Sequence, residues 1–285
     1  MTQYPITKSV CLTRWIAVTL AFTAFASAAP AATPNTASDI PGATLTALAN
    51  LPRSPESGSP DEYCKGSSPV SAAAKLVAGR GWIVTSEAQL GQYQVVTFAS
   101  GFEPGTSGMC FTRNGRLAVF GRAGLIALAY TGRAAELQLG NVELLESGAL
   151  MISAGDGVGA PIGELHEVNG GFRLTRVAAE RTFCNGRAVV PNVYGKSIKD
   201  ARKILIARGW KPKRPAEAWG EFDGAADLAK HGIVEAETCS GTGLGDCWFN
   251  YNGPSGILRV TTIGEDRERG NDDTIVGYDV KCRAK

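Results

Sequence analysis

Ser71 to Trp82 reads SAAAKLVAGRGW, and Lys199 to Trp210 reads KDARKILIARGW. Lys75, Arg80, Gly81 and Trp82 recur as Lys203, Arg208, Gly209 and Trp210, so the chain carries an internal repeat built round a short amphipathic helix. In the second copy Ile198, Ala201, Ile204 and Leu205 fall on one face at helical spacing, and the aligned Val70, Ala73, Leu76 and Val77 are apolar too. The ends agree with a helix. Ser197 followed by Asp200 is a capping-box-like start, and Ser68-Pro69 offers an N-cap with proline at the first helical position. Gly81 and Gly209 suit the left-handed residue just past a helix, with each tryptophan folding back as a capping and core side chain.

Beyond each tryptophan the pattern turns to β. In the first copy the segments are 93–98, 110–120 with a turn at Asn114-Gly115, 125–130, 142–145, and 163–177 about Asn169-Gly170-Gly171. In the second they are 232–239, 247–251, 257–263 and 275–282, after a short helix at 225–230. The expected fold class is α+β: two related modules, 63–181 and 182–285, each a short helix packed on an antiparallel sheet and disulfide-bridged.

The N-terminus is read differently. Lys8 and Arg14, an apolar run from Trp15 to Phe25 and Ala26-Ser27-Ala28 form the pattern of a cleavable secretory signal over 1–28. The run is shorter than the roughly 20 residues of a bilayer span and implies no membrane anchor. From 29 to 62, six prolines among Ala, Thr and Ser point to a disordered tether. Removing the signal takes away Cys11 and leaves six cysteines, an even count that reads as three disulfides in an exported chain. The module boundary assigns two cysteines to the first module and four to the second, and the expected pairs are Cys64 with Cys110, Cys184 with Cys282 and Cys239 with Cys247 among the 15 connectivities that six cysteines allow. The zinc spacings of close cysteine pairs are lacking, so neither metal nor cofactor is expected. Lys plus Arg total 29 and Asp plus Glu 27, and loss of Lys8 and Arg14 brings the mature chain to neutrality. That balance argues against nucleic acid as a partner.

Residues 190–210, VPNVYGKSIKDARKILIARGW, resemble the opening of PASTA modules in Val190-Pro191-Asn192-Val193, Gly195-Lys196-Ser197, Ala201, Leu205 and Gly209. The resemblance implies a bacterial envelope setting, periplasmic or secreted, and a small helix-on-sheet module that binds wall fragments or supports interactions at the wall without catalytic residues. After residue 210 the family pattern gives way to Cys239-Ser-Gly-Thr-Gly-Leu-Gly-Asp-Cys247. This part is similar to small cysteine-bridged exported bacterial proteins.

Catalytic candidates are sparse. His231 sits at a helix end, where it suits the helix dipole, and His166 lies in a strand hairpin beside Glu164 and Glu167. Glu235 and Glu237 are two apart on an expected strand, so their carboxylates would share a face, a pattern that glycoside hydrolysis could use and that any half-exposed strand also produces. Gly155 to Gly159 and Gly241 to Gly245 lack phosphate-loop spacings and read as turns. The second helix stands apart: Lys199, Arg202, Lys203, Arg208 and Lys211 crowd one region, with Ile206 between Lys199 and Arg202 on the wheel and Asp200 the one acid in that run. These six side chains are the candidate binding surface for an anionic cell-wall polymer or a protein partner. The expected function is non-enzymatic binding in the cell envelope, with a periplasmic inhibitor or immunity protein that blocks a wall-degrading enzyme as the alternative.

Overall fold

The computed structural model describes residues 1–2, 34–56, 63–105, 108–132, 138–220, 223–241, 243–264 and 274–284. The export segment expected over 1–28 falls almost wholly outside them, as do 29–33 and 57–62 of the tether. The first half runs β1 (Thr36–Ser38), β2 (Ala43–Ala47), α1 (Ala72–Gly79), β3 (Ile83–Leu90), β4 (Tyr93–Ala99), β5 (Gly101–Pro104) and β6 (Cys110–Arg113). It continues through β7 (Arg116–Gly121), β8 (Gly124–Thr131), β9 (Leu139–Leu144), β10 (Leu150–Ala154), β11 (Pro161–Val168) and β12 (Gly171–Thr175). The second half holds β13 (Glu180–Phe183), β14 (Ala188–Pro191), α2 (Ile198–Ala207), β15 (Lys211–Pro212), α3 (Gly224–Lys230), β16 (Ala236–Cys239), β17 (Cys247–Asn252), β18 (Gly256–Ile263) and β19 (Thr274–Cys282).

The described residues are mostly β, 47% strand against 11% helix, which corrects the expected α+β class of one helix on one sheet in each module. The physical reason lies in the first half. An inner sheet, β2-β8-β7-β4-β3, and an outer sheet, β1-β12-β11-β10-β9, face each other. Leu45, Val95, Leu117, Val119, Leu150, Ile152, Leu165 and Leu174 fill the space between them. The inner sheet is buried on its other side too, where Val84, Val96, Phe98, Ala118 and Phe120 pack against Ala74 and Val77 of α1, Trp82 and Leu51. Alternate residues of β4 and β7 therefore feed two separate cores, and both strands are buried on both faces along most of their length. The largest core of this half lies between two sheets.

The supposed tether is the second correction. β1 pairs in parallel with β12, β2 pairs antiparallel with β8, and Leu45 and Leu51 are 6% and 3% exposed. Its prolines stand outside both strands, so they interrupt no ladder bond.

The two helices of the repeat also differ. Ser71, not Ser68, caps α1, accepting the Ala74 amide at 3.0 Å, while the Glu87 carboxylate takes the Val70 and Ser71 amides at 2.8 and 3.0 Å. Burial pushes the Glu87 carboxyl up, but the hydrogen bonds from Ser71 and Val70 outweigh it and leave it below its ordinary value. Ala74 and Val77 are buried, whereas Val70 and Leu76, expected in the core, are 76% and 43% exposed. In α2, Ile198, Ala201 and Leu205 are buried as expected and Ile204 packs beside them. Gly81 and Gly209 take φ of +82° and +86°, and Trp82 and Trp210 fold back into the core. Their indole N–H groups donate to the Pro52 and Val189 carbonyls at 2.8 and 3.1 Å.

In the second half β15, β17, β18 and β19 form one sheet, with β16 also pairing β17. Its inward residues Phe249, Tyr251, Leu258, Val260 and Ile275 share a core with α2, with Ala225 of α3 and with Phe183 and Val190 of the β13-β14 hairpin. The three disulfides join Cys64 to Cys110, Cys184 to Cys282 and Cys239 to Cys247, the partners expected from the sequence. Arg181 bridges the halves: it donates to the Tyr194 hydroxyl at 2.7 Å, approaches Glu143 of β9 at 3.7 Å, and lies over the rings of Phe183 and Tyr278. Thr33–Lys285 forms one compact unit.

Candidate functional site

α2 begins where the Ser197 hydroxyl accepts the Asp200 amide at 3.2 Å, and its apolar face is pressed onto the C-terminal sheet. Its outward cations do not stand alone. Lys203 pairs with Asp200 at 2.9 Å, a contact that holds the Asp200 carboxyl below the usual carboxylate range. Arg208 reaches Glu180 of β13 at 2.5 Å. Arg202 donates through Nε to Glu235 Oε1 at 2.7 Å. Glu235 is fully buried, and the same oxygen accepts the Tyr251 hydroxyl at 2.9 Å. Burial and the neighbouring Glu235 charge push the Tyr251 phenol far above its ordinary value, so it stays protonated and donates. Asp200 was the one acid visible in the run; Glu180 and Glu235 come from elsewhere in the fold. Like-charge repulsion along α2 is accordingly relieved inside the molecule. Lys199 and Ile206 remain exposed on its outer side.

Glu235 and Glu237 do not share a face. Glu235 precedes β16 and turns inward, a register shift interrupts the β16-β17 ladder between Ala236 and Thr238, and Glu237 points outward to pair with Arg259 at 2.9 Å. The two carboxylates, which a regular strand would have set on one face, are thus split between core and surface. His231 caps α3, its Nδ1 at 2.8 Å from the Asp227 carbonyl. His166 lies 3.1 Å from Glu164, which is 2% exposed and also accepts the Ala178 amide at 2.9 Å. In the loop from Gly155 to Gly159, Asp156 Oδ1 accepts the Val158 and Gly159 amides, a closed turn. Among the described residues no group of three or more His, Cys, Asp or Glu side chains is placed to hold a metal ion, and no helix is long and apolar enough to cross a membrane.

The surface missed at the level of sequence is the face of the C-terminal sheet opposite α2. Alternation turns every second residue of β17, β18 and β19 onto it, and the register aligns them in rows. One row pairs Lys211 with Asn252, Ile257 and Lys281. The next sets Asn250, Arg259 and Asp279 side by side, with the Lys213 amide donating to the Asn250 carbonyl at 2.8 Å. The third aligns Trp248, Thr261 and Gly277. A groove of about 650 Å³ crosses this face, lined among others by Lys213, Glu237, Asn250, Arg259, Gly277 and Lys281. The Arg259 guanidinium, held by Glu237, lies 5.6 Å over the ring of Trp248, which is 38% exposed. Period-two alternation in β17 to β19 was legible in advance; that α2 and α3 would cover one face and leave this one open was not.

No family model, no curated protein and no solved structure matches this chain. Residues 190–210, read from the sequence as PASTA-like, fall on the end of β14, α2 and the turn between them.

Proposed function

We propose that the protein is an exported, non-enzymatic binding protein of the bacterial envelope, periplasmic or secreted, that recognises an anionic cell-wall polymer. The observation that carries this reading is where the basic segment ends up. Arg202, Lys203 and Arg208 are occupied by acids of the fold, whereas Lys211 and Lys213 sit on the open face of the C-terminal sheet, Lys213 in the lining of the groove, without an ion-pair partner among the described residues. Three disulfides and the PASTA-like segment support the setting. Sedimentation with purified wall material tests it. The mature protein should pellet with the wall, and Lys211→Glu with Lys213→Glu should release it, as should raised salt. Sedimentation indifferent to both would defeat the reading. The inhibitor alternative rests on Ile206, 42% exposed beside Lys199 and Lys203, and a panel of lytic enzymes assayed with and without the protein addresses it.

A further inference from the structure

From the open face of the C-terminal sheet we infer the class of ligand: an acidic glycan, a chain of pyranose sugars carrying carboxylates, lying across the strands in the groove between Lys213 and Lys281. This rests on the reading above that the open face is the binding face.

The shape of the face comes first. Three rows of outward residues run across β17, β18 and β19, the first extended to Lys211 of β15, and cover a patch about 14 Å across at the usual strand spacing. Pockets for compact apolar ligands are enclosed and lined by hydrophobic side chains. This face is instead an open groove that carries Asn252, Thr261, Arg259, Glu237 and Asp279, with Asn250, 5% exposed, in its lining. A protein partner would bring a desolvated apolar centre. Here the apolar contributions are Ile257 and Trp248, set apart in different rows. A long, hydroxyl-rich ligand suits what is present: a side-chain amide that donates to and accepts from hydroxyls and carboxylates that accept from them, beside one flat indole on which the C–H face of a sugar ring can stack.

Two features give the groove its fit. Trp248 stands at the edge of the groove, outside its lining but next to Thr261 and held against the Arg259 guanidinium, itself anchored by Glu237, so the ring is positioned before any ligand arrives. Gly277 forms the floor, and a Cβ built there would meet nothing nearer than the Thr261 Cβ at 3.9 Å, so the space above it is open. Charge supplies the acidic requirement. Arg259 and Glu237 cancel, Asp279 leaves one negative charge, and Lys211, Lys213 and Lys281 surround it at both margins without ion-pair partners among the described residues. Carboxylates along the chain would meet these lysines at the two edges, while Asp279 accepts from hydroxyls between them.

Isothermal titration of the mature protein with tetragalacturonate as the acidic probe and chitotetraose as the neutral one tests the inference. The acidic probe should bind, the neutral one should bind at least about tenfold more weakly, and Trp248→Ala or Lys213→Glu with Lys281→Glu should each cost about tenfold or more. Gly277→Leu should abolish binding by filling the floor, and since the site has room and the backbone is not left-handed, its thermal melt should match wild type. Failure of the acidic probe to bind, or binding unmoved by Trp248→Ala and Gly277→Leu in folded protein, overturns the inference. The outcomes separate from those of the wall assay. Sedimentation with the wall that is insensitive to Gly277→Leu defeats the glycan groove and leaves the envelope function standing. Glycan binding without sedimentation does the reverse.

Discussion

Replacing Arg202 by Ala would leave the fully buried Glu235 carboxylate with the Tyr251 hydroxyl as its hydrogen-bond partner. Losing one member of a buried ion pair costs about 3 to 5 kcal/mol, and the partial exposure of Arg202 places this case at or below the low end. Glu235→Gln with Arg202→Met should recover much of the loss, a comparison that urea unfolding makes directly. Arg202→Glu would set two carboxylates against each other in the core, so a charge reversal of Lys199, Arg202 and Lys203 together would perturb the fold as well as the surface, contrary to what the helical wheel alone suggests. Asp223 supplies a second test at this scale. Its carboxylate accepts the Ala225 and Cys239 amides and the Thr238 hydroxyl, all at 2.9 Å, capping α3 and tying it to β16. Burial pushes this carboxyl up, but the three hydrogen bonds together outweigh burial and hold it below its ordinary value. A depressed native pKa means that the stabilisation is complete above about pH 4 and is lost as pH falls through the native value. Asp223→Ala should cost about 1 to 2 kcal/mol at neutral pH and flatten the acid limb of a stability-against-pH curve. An unchanged acid limb would show that the cap carries no charge-dependent stability.

At the scale of the element, α1 and α2 share a sequence pattern and bury different faces. Leu205 is fully buried under α2, so Leu205→Ala should cost about 2 to 5 kcal/mol, whereas Leu76, aligned with Ile204 in the repeat, is 43% exposed and Leu76→Ala should change stability by less than about 1 kcal/mol. Val77→Ala should cost more than Leu76→Ala despite removing fewer atoms, because Val77 has no exposure. Parallel denaturant titrations of the three variants decide whether the two helices dock alike. The apolar period was readable in both copies. It left the docking rotation open, because Ala-rich α1 offers small side chains on several faces and the inner sheet, with Glu87 seizing the amides before Ser71, selects which of them is covered. β5 and β6 make a similar point. The turn at Asn114, φ +52°, was expected to close a hairpin, yet β6 pairs β5 while β7 pairs β4 and β8, so the turn passes the chain from one sheet to another.

For the whole molecule, the disulfide from Cys184 to Cys282 closes a separation of 98 residues. On the chain-entropy account its removal costs at most about 4 to 5 kcal/mol. Cys184→Ser with Cys282→Ser should therefore lower the unfolding midpoint and leave the first half, whose core residues all precede residue 175, protected in hydrogen exchange. Deletion of residues 34–56 should do the opposite and loosen the first half, since it removes β1, β2 and the buried Leu45 and Leu51. Composition, cysteine parity, the amphipathic repeat and most strands were determined by the sequence itself, because each depends on residues close along the chain or on a simple count. The α2 helix and its glycine stop, the hairpin at Asn169-Gly170 and the buried tryptophans belong to this class. Tertiary structure alone decided that two sheets face each other in the first half, that a proline-rich leader adds strands to both of them, and that acids far along the chain neutralise α2. It also decided which face of the C-terminal sheet is left open. Sheet pairing, ion pairing and burial join residues tens of positions apart, and local periodicity shows that a strand has two faces without showing what will come to lie on either.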